Sequence, residues 1–168
     1  MNSESKVCLS FFGHRNIAAE TAKTVEKKLF DYLNDFVCFY IRQNKKIVCF
    51  CGGYGDFDAM VSRVIDKLRV KYKGFAGFAL EKIFVTPYVR PSYLERNEIM
   101  KTHYDEVLYP PLESVPYKFA ILKRNEWIVE NSDYVVCYVD FSFGGAYKAM
   151  RYARYKLGKD SVYNLGSK

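Results

Sequence analysis

One stretch near the C-terminal end, residues 124–145, limits the folds open to this chain more than any other. Within it, residues 134–139 are apolar nearly throughout and lie between two aspartates. A continuous apolar run of this length is typical of a strand covered on both faces, as in a parallel sheet packed between helices. Gly144 and Gly145 follow, and a helical pattern begins there. Because open α/β sheets bind ligands at the carboxyl ends of their strands, the stretch predicts one half of a nucleotide-type site.

Strands and helices alternate along the rest of the chain. The predicted strands are residues 6–12, 47–51, 82–86, 105–109, 134–139 and 161–165. The predicted helices are residues 17–43, 56–72, 92–101, 116–131 and 145–157. This alternation over residues 1–168 predicts a single domain of the α/β class, a Rossmann-like three-layer sandwich with a mainly parallel sheet flanked by helices.

Three predicted helices have start signals in the sequence. Asp56 is a candidate N-cap, because its carboxylate can accept hydrogen bonds from the first free amides of a helix. Ser92 and Glu95 have the spacing of a capping box. Pro116 suits the first position of a helix, where no amide hydrogen is needed.

The formal charge of +7 favours anionic partners, although a charge of this size also serves solubility. No long basic run and no aromatic platform for single strands is evident in the sequence, so nucleic acid is a minor expectation. Aromatic residues make up 17% of the chain. They either fill a core poor in leucine or line a groove or an oligomer interface, and a homo-oligomer stays open.

Cysteine and histidine give no metal pattern. The five cysteines lie mostly in apolar strand runs, the spacing of Cys49 and Cys51 is not that of a zinc site, and the chain has two histidines. We therefore expect buried reduced thiols, no metal and a cytoplasmic location. No apolar run approaches the ~20 residues of a membrane helix, so we expect no membrane association.

Three glycine-bearing turns follow three separate predicted strands. They contain Gly13-His14-Arg15, residues 52–58 and residues 143–145. Each turn alone is weak evidence, since such glycines are commonly just turns. A doubly wound sheet, however, brings the carboxyl ends of its strands to one edge, so the three together predict a common site. None of them matches a P-loop or a GxGxxG fingerprint.

Arg124 is the most informative single residue. On the predicted helix it shares a face with Ala120, Ile121, Trp127 and Ile128. An arginine within an apolar stripe either extends out to solvent or points into a cavity where an anion balances it. We favour the cavity.

Three other residues have both a functional and a structural interpretation. Arg15 is a second anion contact or a surface arginine that caps a helix. His14 contacts a base or phosphate, or is a structural histidine bonded to the backbone. Asp58 binds ribose hydroxyls or acts as a base, or it stabilises a helix dipole.

Four segments together resemble the SLOG superfamily: GHR after the first strand, GG…FD after the second, KRNEWIVENSD, and GGAYKAMRYARYKLGK…VYNL. This superfamily contains relatives of the DNA-uptake protein DprA and of the LOG phosphoribohydrolases that activate cytokinins. The chain is most similar to its small YpsA-like bacterial and phage group, over about residues 7–165. The resemblance implies a Rossmann-like fold and a site for a nucleotide or nucleotide-derived ligand, with no required cofactor.

The resemblance also assigns individual residues. Arg124 matches the arginine that takes part in catalysis in LOG enzymes, and Gly144 and Gly145 match their phosphate-binding glycines. The LOG motif continues with a glutamate, which is missing from the segment GGAYKAM, and Ala146 replaces the threonine common in the closer group. Asp56 also replaces a glycine before Phe57-Asp58. LOG-like hydrolysis would therefore need Asp58 or Glu126 as the acid.

Three functions follow from these observations. Binding of a nucleotide-type ligand as a sensor, regulatory or sequestering module is favoured, a LOG-like N-glycosidic hydrolase or transferase acting on a nucleoside monophosphate is the alternative, and DprA-like nucleic acid binding is third. The catalytic candidates, if the protein is an enzyme, are Arg124, Asp58 and Glu126. The ligand-binding candidates are Gly13, His14, Arg15, Gly52, Gly53, Tyr54, Asp58, Arg124, Asn125, Gly144, Gly145 and Ala146.

Overall fold

Six parallel strands form one central sheet in the computed structural model of the chain, which describes residues 5–168. The strands are β1 (Lys6–Gly13), β2 (Lys46–Cys51), β3 (Leu80–Val85), β4 (Glu106–Leu108), β5 (Tyr134–Tyr138) and β6 (Val162–Asn164). Their order across the sheet is β4-β3-β2-β1-β5-β6. Every pairing is parallel, which confirms the predicted fold class.

Five α-helices cover the two faces of the sheet. They are α1 (Ala19–Ile41), α2 (Asp56–Lys71), α3 (Pro91–His103), α4 (Ala120–Glu130) and α5 (Gly144–Leu157). The first half of the chain steps outward from β1 to β4, and right-handed crossovers then place α1, α2 and α3 on one face. From β4 the chain returns to the other side of β1, so α4 and α5 lie on the opposite face.

Two apolar cores hold the layers together. On one face α1 buries Leu29 and Leu33 against sheet residues that include Leu9 and Phe11. On the other face α5 buries Met150 with Ala149 and Ala153 against a cluster that includes Val135 and Val139. Alternate residues of β1 thus enter opposite cores, as the period of a strand requires.

The strand order reverses between β1 and β5. The chain leaves β1 in one direction through α1 and comes back to its other side through α4. The register pairs Gly13 with Tyr138, so these two strands end at the same level. In open α/β sheets the crevice at such a reversal is the usual ligand site.

The predicted N-cap and capping box are wrong. The N-cap of α2 is Gly55, and the Asp56 carboxylate instead accepts the amide hydrogen of Ile17 at 2.8 Å. Asp56 is already inside the helix, so its carboxylate is free to join the β1–α1 loop to α2. The helix α3 begins at Pro91 with Arg90 as N-cap, and no side-chain cap forms. Ser92 is therefore two residues too late to act as the cap, which must precede the first helical residue.

The prediction for Pro116 is also corrected. Pro116 precedes a 3₁₀ turn, Tyr117–Phe119, and α4 starts only at Ala120. The fixed φ of proline suits the entry to this turn as well as it suits an α-helix. A second 3₁₀ turn, Lys159–Ser161, joins α5 to β6.

The structure adds little to the expectations for cysteine, metal and membrane. All five cysteines lie in the described part of the chain and are free thiols, four of them buried. Residues 5–168 hold no group of three or more His, Cys, Asp or Glu side chains placed to bind a metal ion. Nor does any helix in that range have the length and apolar character needed to span a bilayer.

Candidate functional site

The three glycine turns meet at one cavity of about 270 Å³ at the strand-order reversal. Its walls come from the end of β1, the turn after β2, the first turn of α4 and the loop that leads into α5. The lining residues are Phe11, Phe12, Gly13, His14, Arg15, Gly52, Tyr54, Asp58, Ile121, Arg124, Asn125, Phe143, Gly144, Gly145 and Ala146. We call this cavity the switch-point pocket.

Arg124 is buried in this pocket, with 5% of the residue exposed. Its Nη1 donates to the carbonyl oxygens of Gly52, at 3.1 Å, and Val85, at 2.9 Å. These bonds fix the guanidinium against the carboxyl ends of β2 and β3. Its Nε is buried and has no hydrogen-bond partner within residues 5–168. This buried N–H is therefore left for a ligand or a water, since an unpaired buried N–H is costly.

Asp58 supplies the negative charge nearest to Arg124. A Cβ at Gly52 would lie 3.3 Å from both the Asp58 Oδ2 and the Arg124 Nη1, so the two groups flank this glycine. Burial raises the pKa of the Asp58 carboxyl, while the Tyr54 amide and Arg124 oppose the rise. Burial likewise lowers the pKa of the Arg124 guanidinium, and Asp58 opposes that change. The two charges therefore stabilise each other in a poorly solvated place.

Tyr54 lies between two guanidinium groups. The Arg96 carbon Cζ is 4.0 Å from the centre of the Tyr54 ring, and that of Arg124 is 5.6 Å away. The Tyr54 backbone donates to Asp58 Oδ2 at 2.7 Å, which holds the ring in place. Arg96 also donates to the Gly53 carbonyl at 2.5 Å. This wall of the pocket is therefore rigid, aromatic and strongly cationic.

The helix α5 points its N-terminus at the same cavity. It begins at Gly144 directly after Phe143, no side chain of residues 5–168 caps it, and its first turn contains no acidic residue. Gly144 has a φ of +88°, which a residue with a side chain rarely adopts. The first amides of this helix are thus available to an anion and carry the positive end of the helix dipole.

His14 has the contact expected of a structural histidine, because its ring is hydrogen-bonded to the backbone. Its Nε2 accepts the amide hydrogen of Asp140 at 2.9 Å, and its ring lies 4.6 Å from that of Phe141. Burial lowers the His14 pKa, and the charge of Asp140 opposes this. A neutral His14 whose proton is on Nδ1 fits this bond, because Nε2 must accept. The ring therefore connects the end of β1 to the loop before α5.

The close approach of α2 to β1 explains why Gly13 and Gly55 are glycines. A Cβ at Gly13 would overlap the buried ring of Phe57, and one at Gly55 would lie 2.7 Å from the Cα of Arg15. The Arg15 carbonyl accepts the Asp56 amide at 2.8 Å, while the Arg15 residue is exposed at the mouth of the pocket.

The pocket contains all but one of the predicted ligand-binding residues. Gly53 is the exception, because it turns its carbonyl to Arg96 behind the wall formed by Tyr54. Glu126, a catalytic candidate, lines a neighbouring cavity between α4 and α5, where it pairs with Lys123 at 2.6 Å. Asp58 and Glu126 therefore do not face the same cavity.

Sequence reasoning missed Arg96 and a cluster of aromatic rings. Arg96 lies on α3, far in sequence from the glycine turns, and no local pattern connects it to Tyr54. A cluster of three tyrosine rings, Tyr88, Tyr93 and Tyr117, packs with centroid separations of 4.5 and 4.7 Å from Tyr88. The high tyrosine content was the one signal that pointed to such a surface.

Comparison with known proteins identifies a solved structure with a similar fold but no matching family. No family model matches the chain, and no curated protein does. Among solved structures it is similar to DNA processing protein A from Helicobacter pylori, a structure described for its single-stranded DNA binding mode. The TM-score is 0.59 at 14% sequence identity, over 98% of this chain and 67% of that one. The match shows a shared fold, the one expected from the resemblance to relatives of DprA.

Proposed function

We propose that the switch-point pocket binds the phosphate group of a nucleotide or nucleotide-derived ligand. The observation that carries this proposal is the buried guanidinium of Arg124, whose Nε has no partner within the described residues, in the cavity that also receives the N-terminus of α5. A guanidinium and free helix amides together form a preorganised anion site. The earlier resemblance to YpsA-like proteins supports the same class of ligand.

The balance of charge in the pocket favours an anion. Arg15, Arg124 and, behind Tyr54, Arg96 contribute three positive charges, and Asp58 contributes one negative charge. Burial of Arg124 and Asp58 makes these two charges count for more than they would in water. A phosphate at the α5 amides would therefore offset the positive excess.

The remaining polar groups suit the rest of a nucleotide. One Asp58 oxygen accepts the Tyr54 amide, which leaves Oδ1 for ribose hydroxyls. The Asn125 Oδ1 is buried without a partner in residues 5–168 and lies in the same cavity. Phe143 is 71% exposed at the rim, where a base can stack on its ring. The cavity volume of about 270 Å³ matches a mononucleotide-sized group better than a dinucleotide.

Thermal unfolding with a nucleotide panel tests this proposal. The panel contains nucleoside monophosphates, NAD, ADP-ribose and cyclic nucleotides. A ligand at 100 times its Kd stabilises the protein by about 2.7 kcal/mol, which is about 5–10 °C in Tm for a chain of this size. We expect Arg124→Met to abolish the shift and Arg42→Met, an exposed arginine at the end of α1, to keep it. A folded protein that shows no shift with any of these nucleotides would contradict the proposal.

Turnover is a separate outcome of the same panel. Cleavage of an N-glycosidic bond is assisted by two carboxylates on either side of it. Asp58 lies in the pocket, whereas Glu126 lies in the next cavity and pairs with Lys123. We therefore propose binding without hydrolysis. Release of free base that is lost in Asp58→Asn would instead establish the LOG-like alternative.

Single-stranded DNA is the second candidate ligand. The fold likeness to DNA processing protein A and the formal charge of +7 both favour it. A strand would place one of its nucleotides in the switch-point pocket, since each nucleotide carries the phosphate that the site is built to hold. Binding to a phosphate backbone weakens steeply as salt rises. An oligonucleotide affinity that is unchanged between about 50 and 200 mM salt would therefore exclude this candidate.

A further inference from the structure

The outer surface of α5 is rich in aromatic and cationic side chains. Its 14 residues contain three tyrosines and four lysines or arginines, and no aspartate or glutamate. Helices on a protein surface ordinarily mix both signs of charge, because this supports solubility without creating a one-sided field. A helix with cations alone therefore points to an anionic partner.

Three of these side chains, together with Phe143 just before the helix, follow one another at intervals of four residues. Phe143, Tyr147, Arg151 and Tyr155 form one row along the helix, which we call the α5 ridge, because residues four apart are neighbours on a helix surface. Phe143 is 71% exposed and Tyr155 is 81% exposed. The Arg151 guanidinium lies over the Tyr147 ring at 5.9 Å. Phe143 and Tyr155 belong to neither core, whereas the half-buried Tyr147 packs against the core beneath α5.

The ridge is continuous with the switch-point pocket. Phe143 and Gly144 line both the pocket and a wide, shallow depression that runs over Tyr147, Arg151 and Tyr155. Lys148 borders the same depression. Within residues 5–168 neither Lys148 nor Arg151 forms an ion pair, so both cations are available to an anion.

We propose that single-stranded nucleic acid lies along the α5 ridge, with its bases on the aromatic rings and its phosphates at Lys148 and Arg151. The proposal rests on the proposed function, because the strand would enter the ridge from the nucleotide in the pocket. Aromatic rings that alternate with cations form the surface that proteins use for single strands regardless of sequence. A protein or lipid partner would use the charge but would not need rings at this spacing.

The length of the ridge sets the expected site size. Tyr155 is 11 residues beyond Gly144, or about 17 Å along the helix axis at 1.5 Å per residue. Stacked nucleotides advance by about 3.4 Å each. The ridge therefore accommodates roughly five nucleotides beyond the one in the pocket.

Oligothymidylates of increasing length test the ridge separately from the pocket. Thymidine monophosphate measures the pocket alone, and chains of 3, 6 and 12 nucleotides add the ridge in steps. We expect affinity in fluorescence anisotropy to rise at least about tenfold from the monomer to the 6-mer and then to level off. The double variant Arg151→Ala/Tyr155→Ala should bind the 12-mer at least about fivefold more weakly and reduce its salt slope by about 0.7. Its affinity for the monophosphate should not change.

The matched control is Phe39→Ala/Arg42→Ala, which removes one exposed ring and one charge at the far end of α1. It should bind every length as the parent does. Oligomers that bind no tighter than the monophosphate would overturn the ridge and leave the pocket standing. Ridge-dependent binding of the 12-mer without any monophosphate binding would support the ridge and contradict the pocket. A ridge variant that loses only binding to phosphatidylserine vesicles, with 12-mer affinity intact, would also overturn the proposal.

Discussion

The outer surfaces of α1 and α5 differ although both helices pack on the same sheet. On α1 the charges are matched: Lys27 pairs with Asp31 at 2.6 Å, and Glu26 with Lys67 of α2 at 2.7 Å. On α5 the four cations have no acidic residue in the same helix, and within the described residues only Lys156 pairs with an acid, Glu130 of α4, at 3.7 Å. The inner surfaces of the two helices both bury apolar side chains. Packing therefore explains the inner surfaces of both helices, and the outer surface of α5 differs from that of α1 in its excess of positive charge.

The contrast extends to the loops at the start of each helix. The β1–α1 loop is fastened by the Asp56 carboxylate at Ile17, which fills a free amide before α1 begins. The start of α5 has no such side chain, and its glycines face the switch-point pocket. The free amide before α1 is thus bonded within the protein, whereas the first amides of α5 are donors for an external anion.

The largest expected effect tests whether the two cores are equally packed. Leu29 of α1 and Met150 of α5 are both 0% exposed. We expect Leu29→Ala and Met150→Ala each to lower the free energy of unfolding by about 2–5 kcal/mol in urea titrations, because each leaves a cavity. A Met150 variant that loses less than about 1 kcal/mol would show that the α5 core is loosely packed and break the equivalence of the inner surfaces.

Arg124→Met should reduce the free energy of unfolding by less than the core variants do, but it should abolish nucleotide binding. The change leaves the carbonyls of Gly52 and Val85 without their buried donor, so we expect a loss of about 1–3 kcal/mol in the free energy of unfolding. The bound nucleotide should be lost altogether in the thermal-shift assay. The control Arg42→Met should change neither quantity, since Arg42 is exposed. Unchanged nucleotide affinity in folded Arg124→Met would remove the central contact of the proposed site.

The sequence predicts the elements well because their signals are local. Predicted residues 82–86 correspond to β3 at Leu80–Val85, and predicted residues 17–43 correspond to α1 at Ala19–Ile41. Strand and helix periods are determined by neighbouring side chains, so they survive without knowledge of the fold. The parallel sheet follows from the alternation of strands and helices.

The failures concern contacts that are distant in sequence. The carboxylate of Asp56 bonds to Ile17 rather than to its own helix, and Arg96 reaches Tyr54 from a different helix. The burial of Arg124 in a cavity was expected, but its hydrogen-bond acceptors were not, because they lie at the ends of two other strands. The α5 ridge could not be predicted either, because the helical period identifies the inner face of a helix and does not indicate what its outer face contacts.

The two glycines at the start of α5 give a smaller and sharper test. Gly144 has a φ of +88°, whereas the φ of Gly145 is not positive. A Cβ at either position would meet no atom of residues 5–168 within 4 Å. We expect Gly144→Ala to cost about 1 kcal/mol of unfolding free energy from backbone strain alone. Gly145→Ala should be neutral or slightly stabilising, because alanine suits a helix better. Equal losses for both variants would mean that space in the pocket, and not backbone conformation, selects these glycines.

The smallest expected effect is a pH dependence at the edge between the two faces, where His14 bonds to the Asp140 amide. Burial lowers the His14 pKa from its ordinary value of 6.5. Between the lowered pKa of the folded protein and the ordinary pKa of the unfolded chain, the unfolded chain therefore binds more protons than the folded one. The contribution of neutral His14 to the free energy of unfolding should therefore be fully present above pH 6.5 and should decline as the pH falls below it. Asp140, the facing acid, stays ionised over this range, because the Tyr138 hydroxyl lowers its pKa.

Urea titrations at about pH 7.5 and about pH 5, on either side of the ordinary histidine pKa, test this dependence. The variant His14→Gln should lessen the decline in the free energy of unfolding. The control His103→Gln, at an exposed position on α3, should not. A decline that His14→Gln leaves intact would show that the loop before α5 is held without the neutral imidazole, and the start of α5 would then resemble that of α1 after all.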